Sequence, residues 1–199
     1  MSAQQRGEET RSRILQAAAE SFAEHGYDGS GVAEICERAG VTKGGFYHHF
    51  PSKQAVFLDL LEHWLAEVDV QLEAAGPESD TVPQRLLQMA EAARRVFQAA
   101  GGQLPMFLEF WSQAARDPEV WQATIAPYRR YQAFFSAMVQ AGIAEGTLRD
   151  VDPEAAAWVI VSLAVGLMLQ GVLDPQGNDW GQVAEEGVRM LLVGLEKGR

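Results

Sequence analysis

Apolar positions in this chain recur at spacings of three and four, and the period-two alternation of a strand is absent. Ile14, Ala18 and Phe22 lie four apart, with Leu15 and Ala19 beside them, so a helix covers them. Thr10 is its expected N-cap and Gly26, in "EHGYDG", its end. "VAEICERAG" reads as a short second helix between Gly31 and Gly40. "TKGGFYHHF" reads as a third, with Thr42 at the N-cap and Pro51 just past its end. Ser52 then caps a longer helix, in which Val56, Leu60, Trp64 and Val68, with Phe57 and Leu61, form an apolar stripe.

After a loop at 74–83, helices are expected at about 83–100 and 104–115. Asp117-Pro118 and Asp152-Pro153 are start signals, Asp at the N-cap and Pro in the first turn. They open helices of about 118–141 and 153–173. Pro127 is expected to kink the former, and Gly142 and Gly146 stand where it ends. "DPQGND" is a turn before a last helix from Trp180 to about Glu196. The pattern predicts an all-α fold of about nine helices.

Charge is unevenly placed. The net charge of −11 speaks against nucleic acid only as a sum. Residues 1–53 carry six Lys/Arg against seven Asp/Glu, whereas residues 54–199 carry ten against twenty. A polyanion is repelled by the larger part and docks only on the smaller one. Cys36 has no second cysteine to pair with, which fits a reducing compartment, and no apolar leader precedes the first helix. A cytoplasmic protein is expected. The uncharged run 155–173 is long enough to span a membrane. Its flanks, Asp150, Asp152, Glu154 and Asp174, lack the Lys/Arg excess of a span, so a buried helix and no membrane are expected.

The segment "VTKGGFYHHFPSK", Val41 to Lys53, poses the chemical question. Gly44 and Gly45 each cost a helix about 1 kcal/mol relative to alanine. On a helical wheel Phe46 and Phe50 share one face, Gly44, Gly45 and His48 the opposite one, and Tyr47 and His49 project to the sides. Two short helices joined by "AGVT" fit a helix-turn-helix, with the first helix completing a small bundle. The glycines then allow close approach to base edges in a major groove. Tyr47 and His49 reach the phosphate walls, Thr42 and the helix start meet a phosphate or base edge, and Lys53 adds positive charge. Arg6, Arg11 and Arg13 form an N-terminal arm that lies along phosphates or enters the minor groove. The competing reading makes Phe46, Tyr47 and Phe50 plain core and the glycines a loop.

Residues 13–57, "RILQAAAESFAEHGYDGSGVAEICERAGVTKGGFYHHFPSKQAVF", resemble the TetR family of transcriptional regulators. The shared features are a helix ending in HGY, a short helix before AGV, the K-G-x-F-Y-x-H-F core and a trailing S-K. "FLEFWSQAARDPEVW" and "GIAEGTLRDVDPEAAAW" also resemble one branch of that family. The resemblance implies a three-helix DNA-binding domain, placed at residues 1–53, and an all-α effector-binding and dimerisation domain over 54–199. It also implies DNA contacts at Thr42, Lys43, Gly44, Tyr47, His48, His49 and Lys53, and at Ser30, where "GSG" replaces the commoner "TT" or "TS". Gly45 stands where many members carry a base-reading side chain, so DNA shape has more to do.

Residues 89–138 are dense in aromatics and methionine. Most read as core, and the same residue types suit an apolar or aromatic effector. Trp64, Phe97, Phe107, Phe110, Trp111, Tyr131, Phe134 and Met138 are the pocket candidates. His63, Glu67, Glu109, Gln113 and Gln132 either orient a ligand or form a solvated face. The last two helices carry more apolar surface than one core needs, which suggests a four-helix homodimer interface including Trp158, Val188, Leu191, Leu192 and Leu195. A larger monomer core is the alternative.

No nucleophile elbow, P-loop, dinucleotide fingerprint or metal-type Cys/His spacing occurs, so no catalytic residue, metal or cofactor is expected. The expected function is a ligand-responsive homodimeric repressor, released from a near-palindromic double-stranded operator by a small apolar or aromatic effector. A ligand-independent or architectural DNA-binding protein of the same fold, or an activator, is the alternative.

Overall fold

A computed structural model describes residues 3–73, 81–99 and 104–196, with side-chain surroundings given for 5–73, 81–92 and 108–196. The described residues form nine helices and no strand: α1 (Ala3–Gly29), α2 (Val32–Ala39), α3 (Lys43–His49), α4 (Lys53–Glu73), α5 (Val82–Ala99), α6 (Leu104–Ala114), α7 (Pro118–Ala144), α8 (Pro153–Leu173) and α9 (Trp180–Leu195). The expected loop at 74–83 lies largely outside the described residues; α5 begins within it, at Val82.

Most helix starts follow from the caps that the sequence supplies. Thr42, Asp152 and Asp179 each accept backbone N–H bonds in the first turn of α3, α8 and α9. Ser52 and Asp117 do the same for α4 and α7. Thr81 precedes α5, and the Gln84 side-chain Oε1 accepts from the Thr81 backbone N–H at 2.9 Å. Thr10 differs from expectation. α1 already starts at Ala3, and the Thr10 hydroxyl turns back to donate to the Arg6 carbonyl inside the helix. Gly26 does interrupt α1, at φ 72° and ψ 170°, a conformation open to glycine because it has no Cβ. α7 runs on through Pro127.

The chain divides into two compact units, Met1–Leu65 with Pro105–Thr124, and Ala66–Leu104 with Ile125–Arg199. In the first, Ile14, Ala18, Phe22, Ile35, Phe46, Val56 and Phe57 are buried together. Aromatic rings fill its centre. Phe57 meets Phe22 edge-on at 5.5 Å, Tyr27 at 4.7 Å and Phe110 of α6 at 4.4 Å. Gln54 fastens α4 to the start of α7, donating to Asp117 at 3.1 Å and Glu119 at 3.2 Å.

In the second unit α9 packs on α5 and α8. Val82, Leu86, Met89, Met138, Val139, Leu148, Ile160, Leu192 and Leu195 form its core. α8 is long and apolar enough to cross a membrane, yet only 28% of its most apolar window is buried. The expectation of a fully buried helix is thus not met within one chain. Trp158, Val159 and Leu173 of α8 and Met190 and Val193 of α9 are exposed.

Phe57 is fully buried at the junction of three other rings. Phe57→Ala is expected to cost about 3–5 kcal/mol, read as a lower midpoint in urea unfolding. A destabilisation below about 1 kcal/mol would mean that these rings do not organise the first unit.

Candidate nucleic-acid interface

α2 ends at Gly40, which sits in the left-handed region at φ 63° and donates its N–H to carbonyls of the last turn. Val41 also donates to the Cys36 carbonyl, so the chain reverses within two residues. Thr42 follows in extended conformation and caps α3, its Oγ1 accepting from Gly45 at 3.1 Å. The expected helix-turn-helix is therefore formed by one left-handed glycine and one threonine cap.

Phe46 and Phe50 anchor α3. They are 0% and 3% exposed, with ring centroids 6.1 Å apart. Thr42, Lys43, Gly44, Tyr47 and His48 face outward, while Gly45 and His49 are half-buried. Tyr47 stands 54% exposed, braced edge-on by Phe46 at 5.3 Å. His48 and His49 cross edge-on at 5.1 Å. Burial chiefly, then His48 and Arg11, lowers the His49 pKa from the ordinary histidine value. A Cβ at Gly44 would meet only Thr42 Oγ1, at 3.9 Å, and one at Gly45 the same oxygen at 3.4 Å. Among the described residues, nothing excludes a side chain at Gly44.

Three expected contacts are placed differently. Ser30 is buried, 2% exposed, and its hydroxyl donates to the Gly26 carbonyl at 2.8 Å. It closes the end of α1 and is not presented to a phosphate. Lys53 turns inward, donating to the carbonyls of Tyr27 and Ser30. Arg11 is paired with Asp59 of α4 and lies over the Phe50 ring, its Cζ 5.1 Å from the centroid. Because Arg6, Arg11 and Arg13 stand on α1 itself, they form no extended arm. For Lys53 and Arg11, sequence reasoning missed the inward role because the partners lie far along the chain, Asp59 standing 48 positions beyond Arg11; the partner of Ser30, Gly26, is only four residues away.

This geometry has recognisable relatives. Residues 14–60 match the model for bacterial regulatory proteins of the tetR family, and residues 82–193 match that for the C-terminal domain of BetI-type transcriptional repressors. The chain belongs to the TetR family. It is a transcriptional regulator with a DNA-binding helix-turn-helix, as its relatives are, and not an enzyme. The A-factor receptor protein of Streptomyces griseus is 30% identical over 187 residues, covering 93% of this chain, and the chain spans 63% of that protein's length. The transcriptional regulator UidR of Escherichia coli is 24% identical over 193 residues, covering 94% of this chain and 92% of its own. A transcriptional regulator from Saccharomonospora viridis, solved in complex with choline, shares the fold with a TM-score of 0.83 at 20% identity, covering 96% of this chain and 100% of that one.

The effector candidates of this TetR-family chain take varied positions. Trp64 is half-buried against the first core, where Phe110 is fully packed, and Trp111 is exposed. In the second unit Met138 is core, Phe134 is 37% exposed, and Tyr131 is half-buried. Burial, then Asp69, raises the Tyr131 hydroxyl to about 12, with Arg130 opposing. The side chains of Phe97 and Phe107 lie outside the described residues. Among the polar candidates, buried Gln113 donates to Glu109 at 3.2 Å. Of the proposed dimer residues, Trp158 is 46% exposed, Val188 and Leu191 are half-buried, and Leu192 and Leu195 belong to the chain's own core. The exposed large apolar positions of α9 are instead Met190 and Val193.

Gly44→Ala is the informative substitution. Alanine fits, and it favours helix over glycine by up to about 1 kcal/mol. The variant should unfold at an equal or higher denaturant concentration while binding duplex DNA more weakly in fluorescence anisotropy. Wild-type DNA affinity would show that close approach at this position is not used.

Proposed function

We propose that this TetR-family regulator is a homodimeric, cytoplasmic repressor that leaves a near-palindromic operator when a small molecule occupies residues 54–199. The observation that carries the DNA half is the outer ridge of α3. Thr42, Lys43, Gly44, Tyr47 and His48 are exposed on a helix whose opposite face is fastened by Phe46 and Phe50. In this reading Lys43 and Tyr47 hold phosphates, Gly44 gives room for base edges, and His48 reads sequence, with His49 at the flank. Residues 1–53 supply the DNA contacts.

The dimer half rests on the apolar residues that the second unit leaves exposed. Trp158, Val159, Met190 and Val193 would be covered by the same surface of a second copy, as in a two-fold interface. Such a dimer grips two half-sites about 34–36 Å apart. Val193→Glu should yield monomers in sedimentation velocity and weaken operator binding, with the monomer still folded. Leu192→Glu should instead unfold the second unit, because it buries an unpaired charge. A Val193→Glu protein that stays dimeric would place the interface elsewhere.

The effector is proposed to be apolar or aromatic, the aromatic and methionine residues named from the sequence being its candidate contacts. Uncharged aromatic compounds, and choline because a structural neighbour binds it, are the first probes. A true effector lowers operator affinity, and operator lowers effector affinity by the same factor, typically about 5–150-fold. A bound compound with equal affinity in the presence and absence of operator would favour the ligand-independent reading. A rise in operator affinity would favour an activator.

A further inference from the structure

The lysine that begins α4 has its charge directed inward. Lys53 Nζ lies 2.6 Å from the Tyr27 carbonyl and 2.9 Å from that of Ser30. It also stands 4.1 Å from the centroid of the Tyr27 ring, in cation–π contact. An ammonium has three donors, and these partners account for three directions. The Tyr27 ring is itself held by Phe22 at 5.5 Å and Phe57 at 4.7 Å, so it cannot swing aside without disturbing the core.

The partners sit at a corner. Tyr27 to Ser30 close α1 after its break at Gly26, and Gly31 is the N-cap of α2. On its own side, Lys53 stands three residues beyond Phe50, the C-cap of α3. We infer that Lys53 is a positioning residue: it staples the corner between α1 and α2 to the corner between α3 and α4, and so sets the attitude of the DNA-facing helix instead of binding phosphate. This rests on the DNA-binding reading above. Burial lowers the Lys53 pKa, opposed by Asp28 and Glu109, as expected for an ammonium drawn out of water.

Arginine discriminates between the two roles. It keeps the charge and would still hold a phosphate, but its wide planar fork does not replace a point charge set between two carbonyls and over a ring. The full-length protein is tested as wild type, Lys53→Arg, Lys53→Met and Lys43→Met. Thermal unfolding is followed together with binding to duplex DNA, selected from random sequence, across a salt series. Both Lys53 variants should unfold about 4–8 °C lower and bind more weakly with the wild-type salt slope. Lys43→Met should keep the midpoint and flatten the slope by about 0.9 for each phosphate that is no longer neutralised. The staple is overturned if Lys53→Met keeps the midpoint and flattens the slope, or if Lys53→Arg behaves as wild type in both measurements.

The chain has only three lysines, Lys43, Lys53 and Lys197, so their ammonium resonances can be assigned by substitution. A staple predicts that the Lys53 signal is visible without DNA because its protons exchange slowly. A signal that appears only on adding DNA overturns the proposal, even where Lys53→Met is too unstable to assay. If the wild type binds no duplex, the DNA reading fails, and the midpoints and the ammonium signal still decide the staple.

Discussion

Burial of the Phe46 and Phe50 rings holds the short helix on which recognition depends. α3 spans Lys43–His49 and includes Gly44 and Gly45. A helix this short does not persist alone in water, and the glycines weaken it further. Two rings under its inner face and one threonine at its start supply the missing stability. Because the inner face and the Thr42 cap carry that burden, the rest of the outer face can be bare at Gly44 and polar at Lys43 and His48.

The same economy governs the polar groups around the helix. Ser30, Lys53, Arg11 and Asp59 all close contacts within the first unit. Arg38 is likewise engaged, with Glu24 at 2.6 Å and Glu34 at 3.1 Å across α1 and α2. Arg6, Arg13, Arg38 and Lys43 are the exposed Lys/Arg residues among those described in the first 53, and Arg38 has its charge paired. A head with so few outward cations, attached to a strongly acidic remainder, has little electrostatic hold on arbitrary DNA. In the DNA reading proposed above, placement of α3 in the groove supplies much of the discrimination.

The second unit inverts this arrangement. Its core draws on one chain, with α9 giving Leu192 and Leu195 to it. Its surplus lies outside, on Trp158, Val159, Met190 and Val193. Exposed apolar side chains of this size are costly in water, and the second copy proposed above would cover them.

The helix-turn-helix and the family were legible in the sequence, because their signals are local. Caps such as Thr42, Ser52, Asp117 and Asp152 act within one turn, Gly40 reverses the chain by itself, and the spacing of Phe46 and Phe50 fixes which face of α3 is inward. The all-α class followed from the same short-range periodicity. The direction of long polar side chains was not legible. Lys53 and Arg11 are basic residues beside a DNA-binding motif, and by sequence alone both belong on phosphates. Their partners, the carbonyls of Tyr27 and Ser30 and the carboxylate of Asp59, come within reach only when α1, α2 and α4 converge. The register of α9 was similarly hidden. Val188, Leu191, Leu192, Val193 and Leu195 are all apolar, so composition could not tell inside from outside. Only the packing of α5 and α8 against that helix decided that Leu192 and Leu195 are core and Val193 is surface.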